Sequence, residues 1–291
     1  MTPPTRRIFL ASLGAASVPV AAAPQSLPDS IEPTALARLR QAQEAIPAAN
    51  ARGKLAVART LDRLGDAGID LSAGRVILVN IAAAELIAYD NGREAMRSRV
   101  IVGTERTRTP QLATFVTSVR YNPPWYVPAS IEPEVRAAGA VGFRTVNGRL
   151  VQPPGPTNPL GPLRIGLHDS DGIFLHGTSN PSLFGRATRT LSHGCVRVER
   201  VRDLAAWLLD VTPAAVQATL GTGRTFDTNP SQDVQVVLGY LTAWLDAQGR
   251  LALHGDPYGL DAPGARRAGF RRVQRPIIPA PVEPEPEDNP L

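Results

Sequence analysis

Apolar residues recur at two periods along this chain, and the change of period divides it. From about Glu32 to Leu64 the period is helical, with Leu36, Leu39 and Ala42 in one stripe and Leu55, Ala58, Leu61 and Leu64 in another. Pro33 suits a first-turn position and Pro47 interrupts the pattern, so residues 24–73 predict a segment of two helices. From Gly74 the period shortens. Val76-Ile77-Leu78-Val79 is a continuous apolar run, and Glu85 to Tyr89 leads into the hairpin signal Asp90-Asn91-Gly92, with Met96 to Val102 as the returning strand. Phe115 to Tyr121 alternates as a half-buried strand does, and Leu163 to Leu167 and Ile173 to Leu175 carry the sheet to His176. Helices are expected at Ile131 to Ala138, Val201 to Leu209 and Pro213 to Leu220, with Asp203 or Glu199 as cap of the second. Many short strands between Gly, Pro and Asn turns predict a mainly β sandwich over residues 74–262.

Two stretches stand outside this pattern. The Pro/Gly-rich connection at about 126–162 is longer than an ordinary loop, and loops of that size are usually functional or disordered. From 263 to 291 the chain is rich first in Arg, then in Pro and Glu, with too little apolar content to fold, and reads as a disordered tail. At the other end, Arg6-Arg7-Ile8-Phe9-Leu10 opens an apolar stretch running to Ala23. It is too short for a membrane span and ends in small residues, so residues 1–23 read as an export signal of the twin-arginine kind.

Composition adds the setting. A hydrophobic fraction of 43% supports a real core, and 28 prolines with 25 glycines fit many turns. The formal charge of +5 raises nucleic acid as a partner, but no helix-turn-helix, aromatic RNA-binding motif or zinc spacing accompanies it. Attraction to an anionic envelope surface is the better reading of the charge.

The single cysteine, Cys195, lies in Ser192-His193-Gly194-Cys195-Val196-Arg197, shortly after His176-Gly177-Thr178. A lone thiol forms no internal disulfide, so it is either a small buried hydrophobe or a reactive group. The glycine lead-in and two neighbouring imidazoles favour reactivity, because a nearby base raises the thiolate fraction. Such a nucleophile needs oxyanion donors, for which the N–H groups of His193, Gly194 and Cys195 are candidates. Arg197 has two readings, a fork for a substrate carboxylate or a salt bridge supporting the loop. A zinc site from His168, His176, His193 and Cys195 is the chemical rival, but C-x-x-C and H-E-x-x-H spacings are missing, so no metal is expected.

These motifs together resemble the signature of the L,D-transpeptidases, the YkuD-type cysteine enzymes of the bacterial cell wall. The likeness extends to Arg75–Ile81, Val100–Gly103, Thr109-Pro110, Asn122–Trp125, Pro153–Pro156, Asn158–Gly161 and Tyr240–Trp244, thus about 75–261, and is greatest to the larger periplasmic members. It implies a YkuD-like β-sandwich with a shortened capping loop over the site. It implies Cys195 as nucleophile and His176 as general acid and base, with the Gly177 carbonyl orienting the imidazole. His193 and Gly194 would form the oxyanion loop, and Arg197, Ser192, Thr178, Trp125 and Phe174 would meet substrate. For Trp125 and Tyr126, packing beneath a loop is an equal reading.

The resemblance further implies a tetrapeptide stem of peptidoglycan as donor, attacked at the L-centre carbonyl of its third residue with loss of D-alanine. An amine of a second stem would then complete a 3→3 cross-link. Water as acceptor would give an L,D-carboxypeptidase, and a lipoprotein lysine an anchoring transferase. Carbapenem-type β-lactams would acylate the same thiol, and no cofactor is needed. A wall-binding scaffold is the non-enzymatic alternative. The signal implies the periplasm or cell envelope.

Overall fold

The computed structural model describes residues 34–266 and 268–275. The expected export signal at 1–23 and the last part of the expected tail, 276–291, lie outside the described residues.

Two helices come first. The first, α1 (Ala35–Ala45), starts where the Thr34 hydroxyl accepts the Ala37 N–H at 3.2 Å. The second, α2 (Ala51–Ala67), starts where the Asn50 side chain accepts the Gly53 N–H at 2.9 Å and stops at Gly68, whose φ of +62° is left-handed. The strands follow as β1 (Arg75–Asn80), β2 (Glu85–Asp90), β3 (Arg93–Gly103), β4 (Leu112–Tyr121) and β5 (Trp125–Tyr126). After a short helix α3 (Glu132–Ala137) come β6 (Arg144–Val146), β7 (Arg149–Gln152), β8 (Leu163–Leu167), β9 (Leu175–His176), β10 (Thr190–Ser192) and β11 (Val196–Val198). Two helices, α4 (Val201–Leu209) and α5 (Pro213–Gly221), precede β12 (Phe226–Thr228), β13 (Val234–Gly239), β14 (Ala243–Leu245), β15 (Leu251–Leu253) and β16 (Arg271–Arg272).

The protein is mainly β. Eleven strands share one sheet, in the path β10-β3-β11-β9-β8-β4-β13-β1-β2, and an extra β2–β3 pairing closes it on itself. Two long strands make the corners. β3 pairs with β2 along Arg93–Arg99 and then with β11 at Val100 and Ile101. β4 pairs with β13 along Leu112–Phe115 and with β8 from Val116 onward, with an irregularity between Val116 and Ser118 where the strand changes layer. Side chains between the layers, among them Ile77, Val79, Val100, Val119, Ile165, Leu175 and Val196, form the main core.

Strand β1 explains its own unbroken apolar run. It lies between β2 and β13, and all six of its residues are buried. Ile77 and Val79 face the main core, while Val76 and Leu78 face a second core with Leu39, Val57, Leu64 and Trp244, where α1 and α2 cover the sheet. Arg63 ties α2 to the C-terminal segment. Its guanidinium donates to the Tyr240 carbonyl at 2.9 Å and pairs with Asp261 at 2.6 Å, both side chains being largely buried. Arg63→Ala strands Asp261 and is expected to cost about 3 kcal/mol in urea unfolding, whereas a loss under about 1 kcal/mol shows that the pair does not hold α2 in place.

Three expectations change here. The 126–162 stretch, expected as a capping loop with a helix at Ile131 to Ala138, has that helix as α3 but also contains a small sheet ordered β5-β7-β6. The expected caps of α4 are absent: its N-cap Arg200 receives no side-chain cap bond, Asp203 pairs with Arg200 and Glu199 with Arg99. The segment expected to be disordered from 263 is laid on the sheet as far as Arg275. β16 pairs in parallel with Leu112 and Ala113, along the part of β4 that β8 does not reach. Arg271 meets Asp169 at 3.0 Å and Asp171 at 3.1 Å, and Arg275 pairs with Asp233. An open strand edge and complementary charge supply what the segment lacks in apolar content.

Candidate active site

Strand β9 is only two residues long, and the ladders on its flanks decide what surrounds His176. Arg164 of β8 lies opposite His176 on one side and Arg197 of β11 on the other. Cross-strand neighbours share a face of the sheet, so imidazole and both guanidinium groups project the same way. The row continues through Arg120 of β4, opposite Arg164, to Asp227 of β12.

His176 is buried, at 5% exposure. Burial pushes its pKa down to about 3, and the charge of Arg197 adds to the fall, while the backbone carbonyls of Gly177, Leu160 and Pro159 beside the ring oppose it. The imidazole is therefore neutral at pH 7. Its Nδ1 is buried without a partner in hydrogen-bond geometry. The Gly177 carbonyl, expected to orient the ring, is thus one of three carbonyls beside it and makes no formed bond to Nδ1. Asn158 holds the peptides that carry two of these carbonyls, its side chain accepting the Leu160 N–H and its own carbonyl accepting the Gly161 N–H, each at 2.9 Å. Fully buried, it donates to the carbonyls of Pro123 at 3.1 Å and Pro153 at 3.0 Å. Gly161 then turns at a φ of +64°, with its Cα so close to the Gly177–Thr178 backbone that a Cβ would meet the Thr178 nitrogen at 2.4 Å.

The cysteine loop is closed by its own side chains. Gly194, at a φ of +120°, donates its N–H to the Ser192 hydroxyl at 3.1 Å, and that hydroxyl donates to the Cys195 carbonyl at 2.6 Å. The Gly194 carbonyl accepts from Thr109 at 2.7 Å, and Thr109 in turn accepts the Gly103 N–H at 2.9 Å. A trans peptide points its N–H opposite to its carbonyl, so anchoring the Gly194 carbonyl also fixes the direction of the Cys195 N–H. Among the described residues no group accepts the N–H of His193 or Cys195.

This geometry corrects three expectations. Gly194 is not an oxyanion donor, because its N–H belongs to Ser192. Ser192 is buried and spent on the loop, so it does not meet substrate. His193 has an exposed side chain with no hydrogen bond among the described residues, so it does not brace the loop. Ser192→Ala frees the Gly194 N–H and loosens the loop. It is expected to lower kcat about 10-fold or more in an acyl-transfer assay with little change in KM, on the scale of one hydrogen bond of about 1–1.5 kcal/mol. A proportionate rise in KM with kcat intact contradicts this.

Cys195 is half-buried, and its thiol donates to the Gly172 carbonyl at 3.6 Å. Burial pushes the thiol pKa up, against the Phe174 backbone N–H, Arg197 and Arg164, which favour the thiolate. Thiol and imidazole are thus both neutral at pH 7. Nucleophile, neutral base and two unaccepted N–H groups are what acyl transfer through a thioester needs. Among the described residues no three His, Cys, Asp or Glu side chains gather into a metal-holding group.

Residues 74–216 match the family model for YkuD, the L,D-transpeptidase catalytic domain. The chain carries a YkuD domain. A Haemophilus influenzae protein provisionally named an L,D-transpeptidase is 30% identical over an alignment of 217 residues that covers 64% of this chain and 44% of that protein. The chain therefore spans less than half the length of this relative. Among solved structures, the catalytic domain of an Enterococcus faecium L,D-transpeptidase acylated by ertapenem is similar at 15% identity over 57% of this chain and 96% of that one, with a TM-score of 0.32. An L,D-transpeptidase from Mycobacterium smegmatis is similar at 12% identity over 56% of this chain and 58% of that one, with a TM-score of 0.31. Scores this low carry no argument for the site.

In this YkuD domain the remaining sequence candidates divide. Phe174 sets its ring edge-on to His176, centroids 5.8 Å apart, and the Arg164 guanidinium lies 5.4 Å from its face. Thr178 accepts the Asn180 N–H at 3.1 Å and so shapes the turn after His176. Trp125 packs edge-on against Phe143 at 6.0 Å within the small sheet, the packing alternative of its two readings. The Arg197 guanidinium makes no ion pair or hydrogen bond among the described residues, which leaves its fork open. Sequence reasoning counted Thr109 and Asn158 among the motifs of the resemblance but gave neither a role, and it gave Arg164 none beyond its strand. Arg164 left a local trace, an arginine between Leu163 and Ile165 in an otherwise apolar strand.

Proposed function

We propose that the protein is a peptidoglycan L,D-transpeptidase working through Cys195. What carries this reading is the cysteine loop, where Ser192 and Thr109 hold the Gly194 peptide so that the N–H groups of His193 and Cys195 stay unaccepted beside the only thiol. The donor is a tetrapeptide stem with its third-residue carbonyl against those two groups. His176 takes the S–H proton as sulfur attacks; the S–C bond forms and the carbonyl pair moves to oxygen. Collapse breaks the C–N bond, and the departing D-alanine nitrogen takes the proton from His176. An amine of a second stem then gives a proton to His176 and attacks the thioester carbon. The C–S bond breaks, the sulfur recovers that proton, and a 3→3 cross-link results.

Water in the amine's place yields the tripeptide acid, and a β-lactam carbonyl of the carbapenem type acylates the thiol without a small leaving group. The reading of residues 1–23 as an export signal supports the cell envelope as the place of this work in the same proposal. The test is incubation of the protein with disaccharide-tetrapeptide and mass spectrometry of the products. A dimer short of one D-alanine is the expected result. Tripeptide alone makes water the acceptor, and neither product nor a thioester adduct on Cys195 overturns the reading.

A further inference from the structure

The row across the sheet holds one more cation than the proposed chemistry uses. Arg120, next along, is neutralised by Asp227 through two side-chain bonds. Arg164 is not: among the described residues it has no carboxylate partner, and its Nε is buried without any hydrogen-bond partner. Stacking over Phe174 uses the face of the guanidinium and leaves its edge, where the N–H groups lie, free. A half-buried arginine whose Nε is shut away from water without a partner carries a cost that a bound anion would offset.

Its place in the row says which anion. Cys195 and Arg197 lie on the β11 side of His176, and Arg164 lies on the β8 side. Strands about 4.8 Å apart put the backbones of Arg164 and Arg197 roughly 10 Å from each other, with the imidazole between. In the proposed reaction the acyl half stays with the thiol, and the leaving nitrogen is protonated at His176. The carboxylate of the leaving residue is one Cα beyond that nitrogen, which carries it away from Cys195 and toward β8.

We infer that Arg164 is the carboxylate anchor for the leaving residue, so that the site accepts only a bond one residue from a free C-terminus. This rests on the donor chemistry proposed above. Arg197 is left to the acyl half.

Two measurements on wild type and Arg164→Gln test it. The first compares a tetrapeptide stem with its C-terminal amide. Wild type should prefer the acid by roughly 10- to 100-fold in kcat/KM, as expected for a charge-assisted fork, and the variant should lose most of that preference, a ratio in which any change in thiolate fraction cancels because both stems share it. The second needs no peptidoglycan chemistry: the rates at which iodoacetate and iodoacetamide alkylate Cys195. Any change in thiolate fraction affects both reagents alike, so their ratio reports capture of the carboxylate, and it should fall several-fold in the variant. A fall in the alkylation ratio with no turnover of either stem by wild type sinks the peptidoglycan reading and keeps the anchor. If neither ratio nor preference moves, the anchor is overturned whatever wild type turns over. Should the glutamine variant not fold, Arg164→Lys serves, with partial loss expected because an ammonium lacks the fork.

Discussion

Cys195→Ala is expected to leave no measurable acyl transfer from any stem peptide, a fall of more than roughly 10⁴-fold, because no other group in the site can form the acyl intermediate. The fold should hardly notice. The thiol is half-buried and its one bond, to the Gly172 carbonyl at 3.6 Å, is long and weak, so unfolding free energy should shift by no more than about 1 kcal/mol. Loop position is set by Ser192 and Thr109 rather than by the sulfur. The variant should therefore still bind donor peptide, measured by calorimetry, with an affinity near that of wild type. Residual turnover above about one hundredth of wild type shows that the chemistry lies elsewhere. Lost binding together with lost activity points to a damaged site rather than a missing nucleophile.

His176→Gln should separate catalysis from stability. Loss of the proton carrier should lower the rate of thioester formation by roughly 10²- to 10⁴-fold. Stability should move the other way in acid. The folded-state pKa of His176 is about 3 against 6.5 for the free side chain, so between those values the unfolded chain binds a proton that the folded one refuses. Stability is thus full above pH 6.5 and is lost as pH falls toward 3, by about 4–5 kcal/mol at about 1.36 kcal/mol per unit. The glutamine variant lacks this loss. His254, also lowered by burial, and Asp227, held low by Arg120, titrate in both proteins and cancel in the difference. Urea unfolding of the two at pH 7 and pH 4 should show the wild type losing several kcal/mol more. Equal losses place a water-accessible imidazole at this position.

The contrast between these two residues says how much of the site could be read from the chain. Cys195 and His176 stand out as candidates in the chain because each sits in a dense local motif, where glycine, serine and a second histidine constrain what the backbone must do. Their working partners were not. Thr109 reaches Gly194 across 85 positions and Asn158 reaches Pro123 across 35, and neither separation leaves a periodic or compositional trace. Gly194 was read as a donor because its N–H is available in any extended chain. Only the folded loop, with a φ of +120°, brings that N–H onto Ser192.

The fold divides in the same way. Periodicity determined the two leading helices, the strands at Arg75–Asn80 and Glu85–Asp90, the hairpin between Asp90 and Arg93, and the helix Val201–Leu209, because local propensity and one-face burial act over a few residues. The tertiary structure alone decided the rest. Closure of the sheet depends on β3 and β4 serving two layers each, and the place of Arg271–Arg272 depends on an edge that β8 leaves open. The row of Arg120, Arg164, His176 and Arg197 depends on the register of four strands drawn from residues 112–198. Register is a property of pairs of segments, and a single run of sequence specifies which residues face inward but not which residue of another strand it will face.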